Sequence, residues 1–160
     1  MSSPLVTYLR NHEAAAGAGR DLFHRAAASH RERPWGADVE RLAGDVDSDI
    51  EALRQILREV GASPDHLSRT ALQLGERVGR LKPNGRVLRR SALSDLVEVE
   101  GMLDAVQAKA EGWRALVAAG LSRVGDVDVE ALLQRAEDQR ERLRGIHARV
   151  AAEVLTRSEP

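Results

Sequence analysis

Apolar residues recur along this chain at alternating steps of about three and four, the spacing of a single helix face. In the first stretch Leu5, Leu9, His12, Ala16, Gly19, Phe23 and Ala26 share such a face. Ser3-Pro4 supplies a cap residue and a proline for the first turn, and Arg33-Pro34-Trp35-Gly36 breaks the pattern. A second stretch carries Val39, Leu42, Val46, Asp49, Leu53, Ile56 and Val60, widened by Ile50 and Leu57 and closed by Gly61. Ser63-Pro64 repeats the start signal for a shorter helix with Leu67, Ala71, Leu74, Val78 and Leu81 on one side, ended by the turn Pro83-Asn84-Gly85. Ser91 caps a further long helix, whose face is Ala92, Leu96, Val99, Leu103, Val106, Ala110, Trp113 and Val117. The last helix begins near Asp126 or Asp128 and shows Val129, Leu132, Ala136, Gln139, Leu143, Ile146 and Val150. The aromatic and β-branched clusters of a sheet are missing, so no strand is expected.

These signals predict one all-α domain over residues 1–160, with helices near 4–29, 38–61, 64–82, 92–119 and 128–155. The connections within the first and last pairs of long helices are short, which makes each pair an antiparallel hairpin. The middle connection is long and holds its own helix. That connectivity is the one of a ferritin-like four-helix bundle with a long crossover.

The chain resembles the ferritin-like superfamily over most of its length. More narrowly, Tyr8-Leu9-x-x-His12, Val78-Gly79-Arg80-Leu81-Lys82-x-Asn84-Gly85-Arg86 and Leu96-Val97-Glu98-x-Glu100-Gly101 resemble an uncharacterised group of actinobacterial hypothetical proteins. The resemblance implies a fold and no assigned activity.

Composition narrows the function classes. The 160 residues carry a formal net charge of −1, so no global field favours nucleic acid or an anionic membrane. There is no cysteine, which excludes disulfides, thiolate metal sites and cysteine nucleophiles. The N-terminus lacks the basic and apolar regions of a signal peptide, and no apolar run approaches the roughly 20 residues of a membrane span. A cytoplasmic location is the expectation. Basic charge is almost wholly Arg, with Lys only at Lys82 and Lys109, and Ala, Gly and Val are abundant, as in a high-GC bacterial genome.

Candidate chemistry lies in a polar layer on the core faces. His12, Asp49 and Gln139 take stripe positions on three helices, and Glu100 lies beside the stripe of the fourth, between Leu96 and Leu103. Counted from the loops near Arg33 and Arg123, their depths fall within about two helical turns of one another. Tyr8, one turn before His12, borders the same layer. Ferritin-like proteins hold a di-metal site at this depth, with a carboxylate from each of two helices and a Glu-x-x-His pair from each of the others. Here no Glu has a His three residues on, and His12 stands where a glutamate belongs. A standard di-iron site is therefore not expected. Three readings stay open for the layer: a hydrogen-bonded network that fixes register, a metal site for iron, manganese or zinc on His12, Asp49, Glu100 and Asp45, or a small-molecule pocket.

Elsewhere, Asp21 and His24 have ligand-like spacing but fall on an outward face. His30 and Glu32 sit in a loop, His66 in the first turn of the short helix and His147 near the core edge, none with an apparent partner set for a metal. Asp45-x-Asp47-x-Asp49 lacks the glycine and terminal glutamate of a calcium loop. The crossover is locally basic through Arg77, Arg80, Lys82, Arg86, Arg89 and Arg90. Of these, Arg80, Lys82, Arg86, Arg89 and Arg90 are candidates for docking an anion or an acidic protein partner. Met102, Leu116 and the short helix promise uncovered apolar surface, and with it a homodimer. Taken together, the sequence favours a non-enzymatic ferritin-like binding or structural module. The rival is a metal-dependent oxidoreductase or metal-handling protein.

Overall fold

The computed structural model describes residues 3–62 and 92–156. It contains four long helices, α1 (Pro4–Ser29), α2 (Gly36–Glu59), α3 (Ala92–Ala118) and α4 (Val129–Leu155). The described residues are helical apart from loops and two short strands, β1 (Arg123–Val124) and β2 (Val127–Asp128). The short helix expected over 64–82, the turn at Pro83-Asn84-Gly85, His66 and the basic crossover lie outside the described residues.

Helices α1 and α4 start where their sequence signals place them, whereas α2 begins at Gly36 without a side-chain cap, and Ser91, the expected cap of the third long helix, lies outside the described residues. The Ser3 hydroxyl accepts from the Val6 amide at 3.2 Å, with Pro4 in the first turn of α1. Asp128 caps α4 by accepting from the Ala131 amide at 2.9 Å. The strands are a correction to the expectation of none. Arg123 pairs with Asp128 and Val124 with Val127, antiparallel, across a two-residue turn. Gly125 takes the left-handed φ of +55° that this turn needs, and Val124 and Val127 are buried against the bundle.

The α1–α2 connection is tighter. A Cβ on Gly36 would lie 2.4 Å from the His30 carbonyl oxygen and 2.7 Å from that of Arg31. Only glycine lets α2 begin so close beneath the end of α1. Trp35, just before it, is 2% exposed and folds back into the core.

Two apolar clusters fill the interior. One joins Phe23 of α1, Val39 and Leu42 of α2, Val99 and Met102 of α3, and Ile146 and Val150 of α4. The other joins Leu9, Ile56, Leu116 and Leu132, with Val124 and Val127 of the hairpin. The C-terminal half of α1 therefore meets the N-terminal halves of α2 and α3 and the C-terminal half of α4. The order of directions is up, down, down, up. Residues 62 and 92 consequently lie at opposite ends of the bundle.

The buried face of α3 is rotated from the expected one. It runs through Asp95, Leu96, Val99, Met102, Val106, Trp113 and Leu116. Met102 and Leu116 are 0% and 2% exposed, so neither offers the uncovered surface on which a homodimer was expected. The rotation has a simple cause. At about 100° per residue, Met102 and Leu116 flank the Val106–Trp113 line on the side away from Leu103. Both find neighbours there. Leu103 and Val117 are only partly buried, on the periphery of the clusters.

No helix among the described residues is long and apolar enough to cross a membrane.

Candidate functional site

Helices α1 and α3 pack on each other less extensively than the two hairpin pairs do. Small residues face the seam between them: Ala15, Ala16 and Gly19 from α1, and Ala105, Ala108 and Gly112 from α3. Larger side chains, among them Tyr8, Phe23, Trp113 and Leu116, complete the lining. The result is a cavity of about 120 Å³, closed on its third side by Val46, Asp49, Ile50 and Leu53 of α2. Its walls are mostly apolar. The polar side chains among the lining residues are Tyr8, His12, Asp49 and Lys109.

Each polar group has a distinct setting. The His12 ring lies against the α3 backbone, because a Cβ on Gly112 would come within 2.9 Å of its Cε1. Tyr8 meets that ring edge-on, with centroids 4.6 Å apart. Burial holds the His12 pKa below the ordinary histidine value. Trp113 is 4% exposed, and its Nε1 has no hydrogen-bond partner among the described residues. A buried indole N–H in that state forgoes a bond it would make in water.

Asp49, 2% exposed on α2, is the hub of the layer. Lys109 Nζ lies 2.5 Å from its Oδ2, and Gln139 Nε2 donates to the same oxygen at 3.0 Å. The Arg135 guanidinium pairs with Oδ1, and Lys109 also donates to the Gln139 side-chain oxygen. One buried carboxylate is thus held by an ammonium, a guanidinium and an amide. Desolvation lowers the Lys109 pKa, opposed by its charge interaction with Asp49. Asp45, one turn earlier, pairs separately with Arg142 at 2.7 Å.

Of the residues singled out in the sequence, the structure brings Asp49 and Gln139 into direct contact and puts Tyr8, His12 and Asp49 on one cavity. It does not bring Glu100 to them. That side chain is 54% exposed and faces His147 Nε2 at 3.2 Å. The rotation of α3 explains the displacement: turning Met102 inward turns Glu100 outward. Asp45 is at the rim, with Arg142. His24 is exposed, as expected, and bonds Asp47 at 3.0 Å together with Arg20. The docking residues Arg80, Lys82, Arg86, Arg89 and Arg90 lie outside the described residues.

Lys109 and Arg135 were not foreseen, because charged residues read as surface. The available signal was position, since Lys109 lies three residues after Val106 and four before Trp113, on the core side of α3. A second polar cluster also went unread. His30, fully buried, bonds Glu98 Oε2 through Nε2 at 2.9 Å and stands 4.0 Å from Asp95 Oδ1. Arg33 pairs with Asp95 at 2.7 Å, and Ser29 donates to Glu98 at 3.1 Å.

Both clusters can be tested as metal centres. His30, Asp95 and Glu98 offer ligand atoms within 4.8 Å of one another. However, Trp35 Nε1 donates to His30 Nδ1 at 2.5 Å. That bond makes Nδ1 the acceptor and puts the ring proton on Nε2, the nitrogen a metal would need. The cluster is built as a hydrogen-bond chain from the indole through the imidazole to the carboxylate. The Asp49 layer does not fit a di-metal centre either. Its carboxylate is already neutralised by Lys109 and Arg135, and no second carboxylate meets it among the described residues. A divalent cation there would face two built-in positive charges.

No protein family, curated protein or solved structure matches the chain. The geometry therefore carries the functional reading.

Proposed function

We propose that the chain is a ferritin-like helical-bundle module that binds a small apolar molecule between α1, α2 and α3 and is not a redox enzyme. The up-down-down-up order of the four helices, with residues 62 and 92 at opposite ends, supports the ferritin-like reading. The observation that carries the rest is the state of the core layer. Where a ferritin-like oxidoreductase would place metal ions among carboxylates, Asp49 is held by Lys109, Arg135 and Gln139. Those contacts fix the layer and free it from the need for a cation. Beside it lies the cavity, comparable in size to an apolar cavity of about 150 Å³ that accepts benzene. A pocket with an apolar body and a few convergent polar groups is the usual form of a small-molecule site.

The test of the metal-free reading is metal analysis of protein prepared without a His-tag, repeated after anaerobic loading with iron, manganese and zinc. The expected result is no retained metal under any loading. Retention of one or more metals per chain, lost in Asp49→Asn, overturns the reading and restores the oxidoreductase.

A further inference from the structure

Among the described residues that line the cavity, Lys109 is the one lysine or arginine. Every other basic side chain of the chain except Lys82 is an arginine. For a buried pair with a carboxylate the guanidinium is the better group, because it is always charged and bonds both oxygens. An ammonium can do one thing that a guanidinium cannot. It can lose a proton and act as an amine nucleophile. The Lys109 side chain keeps 17% of its area exposed, so its nitrogen is held by the Asp49 layer without being sealed in.

The surroundings of that nitrogen suit this chemistry. Burial holds the Lys109 pKa below the ordinary lysine value, and the Arg135 charge acts the same way, against the raising effect of Asp49 and Asp45. Asp49 Oδ2, 2.5 Å from Nζ, is placed to take the departing proton. The Gln139 oxygen accepts from the same nitrogen and orients it. The wall beyond is apolar, so it accommodates hydrocarbon and disfavours a charged or hydroxylated guest.

We infer that Lys109 is a covalent binding site for a small apolar aldehyde, whose carbonyl carbon condenses with Nζ while its hydrocarbon chain occupies the cavity between α1 and α3. The ammonium first gives a proton to Asp49. The free amine then attacks the carbonyl carbon, a C–N bond forms, and the C=O electron pair moves to the oxygen. A proton passes from nitrogen to that oxygen, giving a carbinolamine. Asp49 returns its proton to the hydroxyl, the C–O bond breaks, and water leaves as the nitrogen lone pair closes the C=N bond. The nitrogen is positively charged before and after, so the iminium keeps the pairing with Asp49 and no net charge enters the layer. The cavity size limits the aldehyde to about six to eight non-hydrogen atoms. This inference rests on the cavity being a binding site.

The test incubates the full chain at neutral pH with 3-methylbutanal and sodium cyanoborohydride, which reduces an iminium to a stable secondary amine. Peptide mass spectrometry then locates the adduct, a gain of the aldehyde's mass less its oxygen. Glyceraldehyde, with the same number of non-hydrogen atoms, is the polar counterpart. The chain has only two lysines, so Lys82 serves as the internal standard. The ratio of Lys109 to Lys82 labelling is expected to be about tenfold or more higher with 3-methylbutanal than with glyceraldehyde, from the burial of its methyl groups. Saturating toluene should slow labelling at Lys109 and leave Lys82 unchanged, and Ala16→Leu should act as toluene does. No adduct at Lys109, an equal ratio for the two aldehydes, or labelling that toluene does not slow overturns the inference. If toluene still raises the Tm of the chain, the cavity reading stands. If it does not, both fall.

Discussion

Lys109 Nζ lies 2.5 Å from Asp49 Oδ2, and the carboxylate it holds is 2% exposed. An ion pair at that depth is sensitive to the loss of one member, because the survivor keeps its desolvation cost without its partner. Asp49→Ala should lower the stability by about 3–5 kcal/mol in urea unfolding. Lys109→Met should cost less, since Arg135 and Gln139 still bond the carboxylate. Equal losses for the two variants would mean that Arg135, on the outer side of Asp49, contributes nothing to holding it.

Gly112 and His12 form a steric pair. A methyl group at residue 112 would meet the imidazole at 2.9–3.3 Å, so the ring must move. Gly112→Ala should destabilise by about 1–3 kcal/mol, less the helix propensity that alanine gains. In the double variant with His12→Ala the steric part should vanish. A thermodynamic cycle measures the coupling, and simple additivity would show that the ring does not rest on Gly112.

Trp35 and His30 are joined by a buried hydrogen bond of 2.5 Å. Trp35→Phe removes the donor and leaves His30 Nδ1 without its partner, at a cost of about 1–3 kcal/mol. The same change frees the imidazole to exchange tautomers. Ring-nitrogen chemical shifts should move from a single Nε2–H form in the wild type toward a mixture in Trp35→Phe. Unchanged shifts would contradict the assigned direction of the bond.

Burial places the folded His12 pKa below its unfolded value of about 6.5. As pH falls through about 6.5 the unfolded chain takes up this proton first, so the unfolded state gains. The contribution of His12 to stability is thus constant above that value, falls between about 6.5 and the folded pKa, and is level again below. Acidification from pH 8 to pH 5 should therefore destabilise the wild type more than His12→Asn. Parallel losses in the two proteins would show that His12 is not desolvated.

Much of the fold was legible in the sequence, and particular residues show why the rest was not. Ser3-Pro4 and Asp128 are local signals, and they mark the observed helix starts. The β1–β2 hairpin escaped because two residues per strand carry no periodicity. Asp49 and Gln139 stood out as polar residues on apolar stripes, and they meet. Glu100 stood out for the same reason and does not. Leu103 and Met102 are both apolar, so the stripe of α3 could be drawn through either, and only tertiary packing chooses Met102. Lys109 was hidden by its charge, although its stem lies along the core face. His30 follows the end of α1, where periodicity stops. Its burial depends on the close approach at Gly36, which no spacing encodes.

The measurement that bears most directly on the cavity as a binding site is thermal unfolding with and without a saturating neutral guest such as toluene, in the wild type and in Ala16→Leu. A molecule that binds only the folded state raises its stability by RT ln(1 + [L]/Kd), about 2.7 kcal/mol at a hundredfold excess over Kd. The account predicts a clear rise in Tm for the wild type and none for Ala16→Leu, whose larger side chain occupies the space between α1 and α3. No rise in the wild type, or the same rise in both proteins, would contradict it.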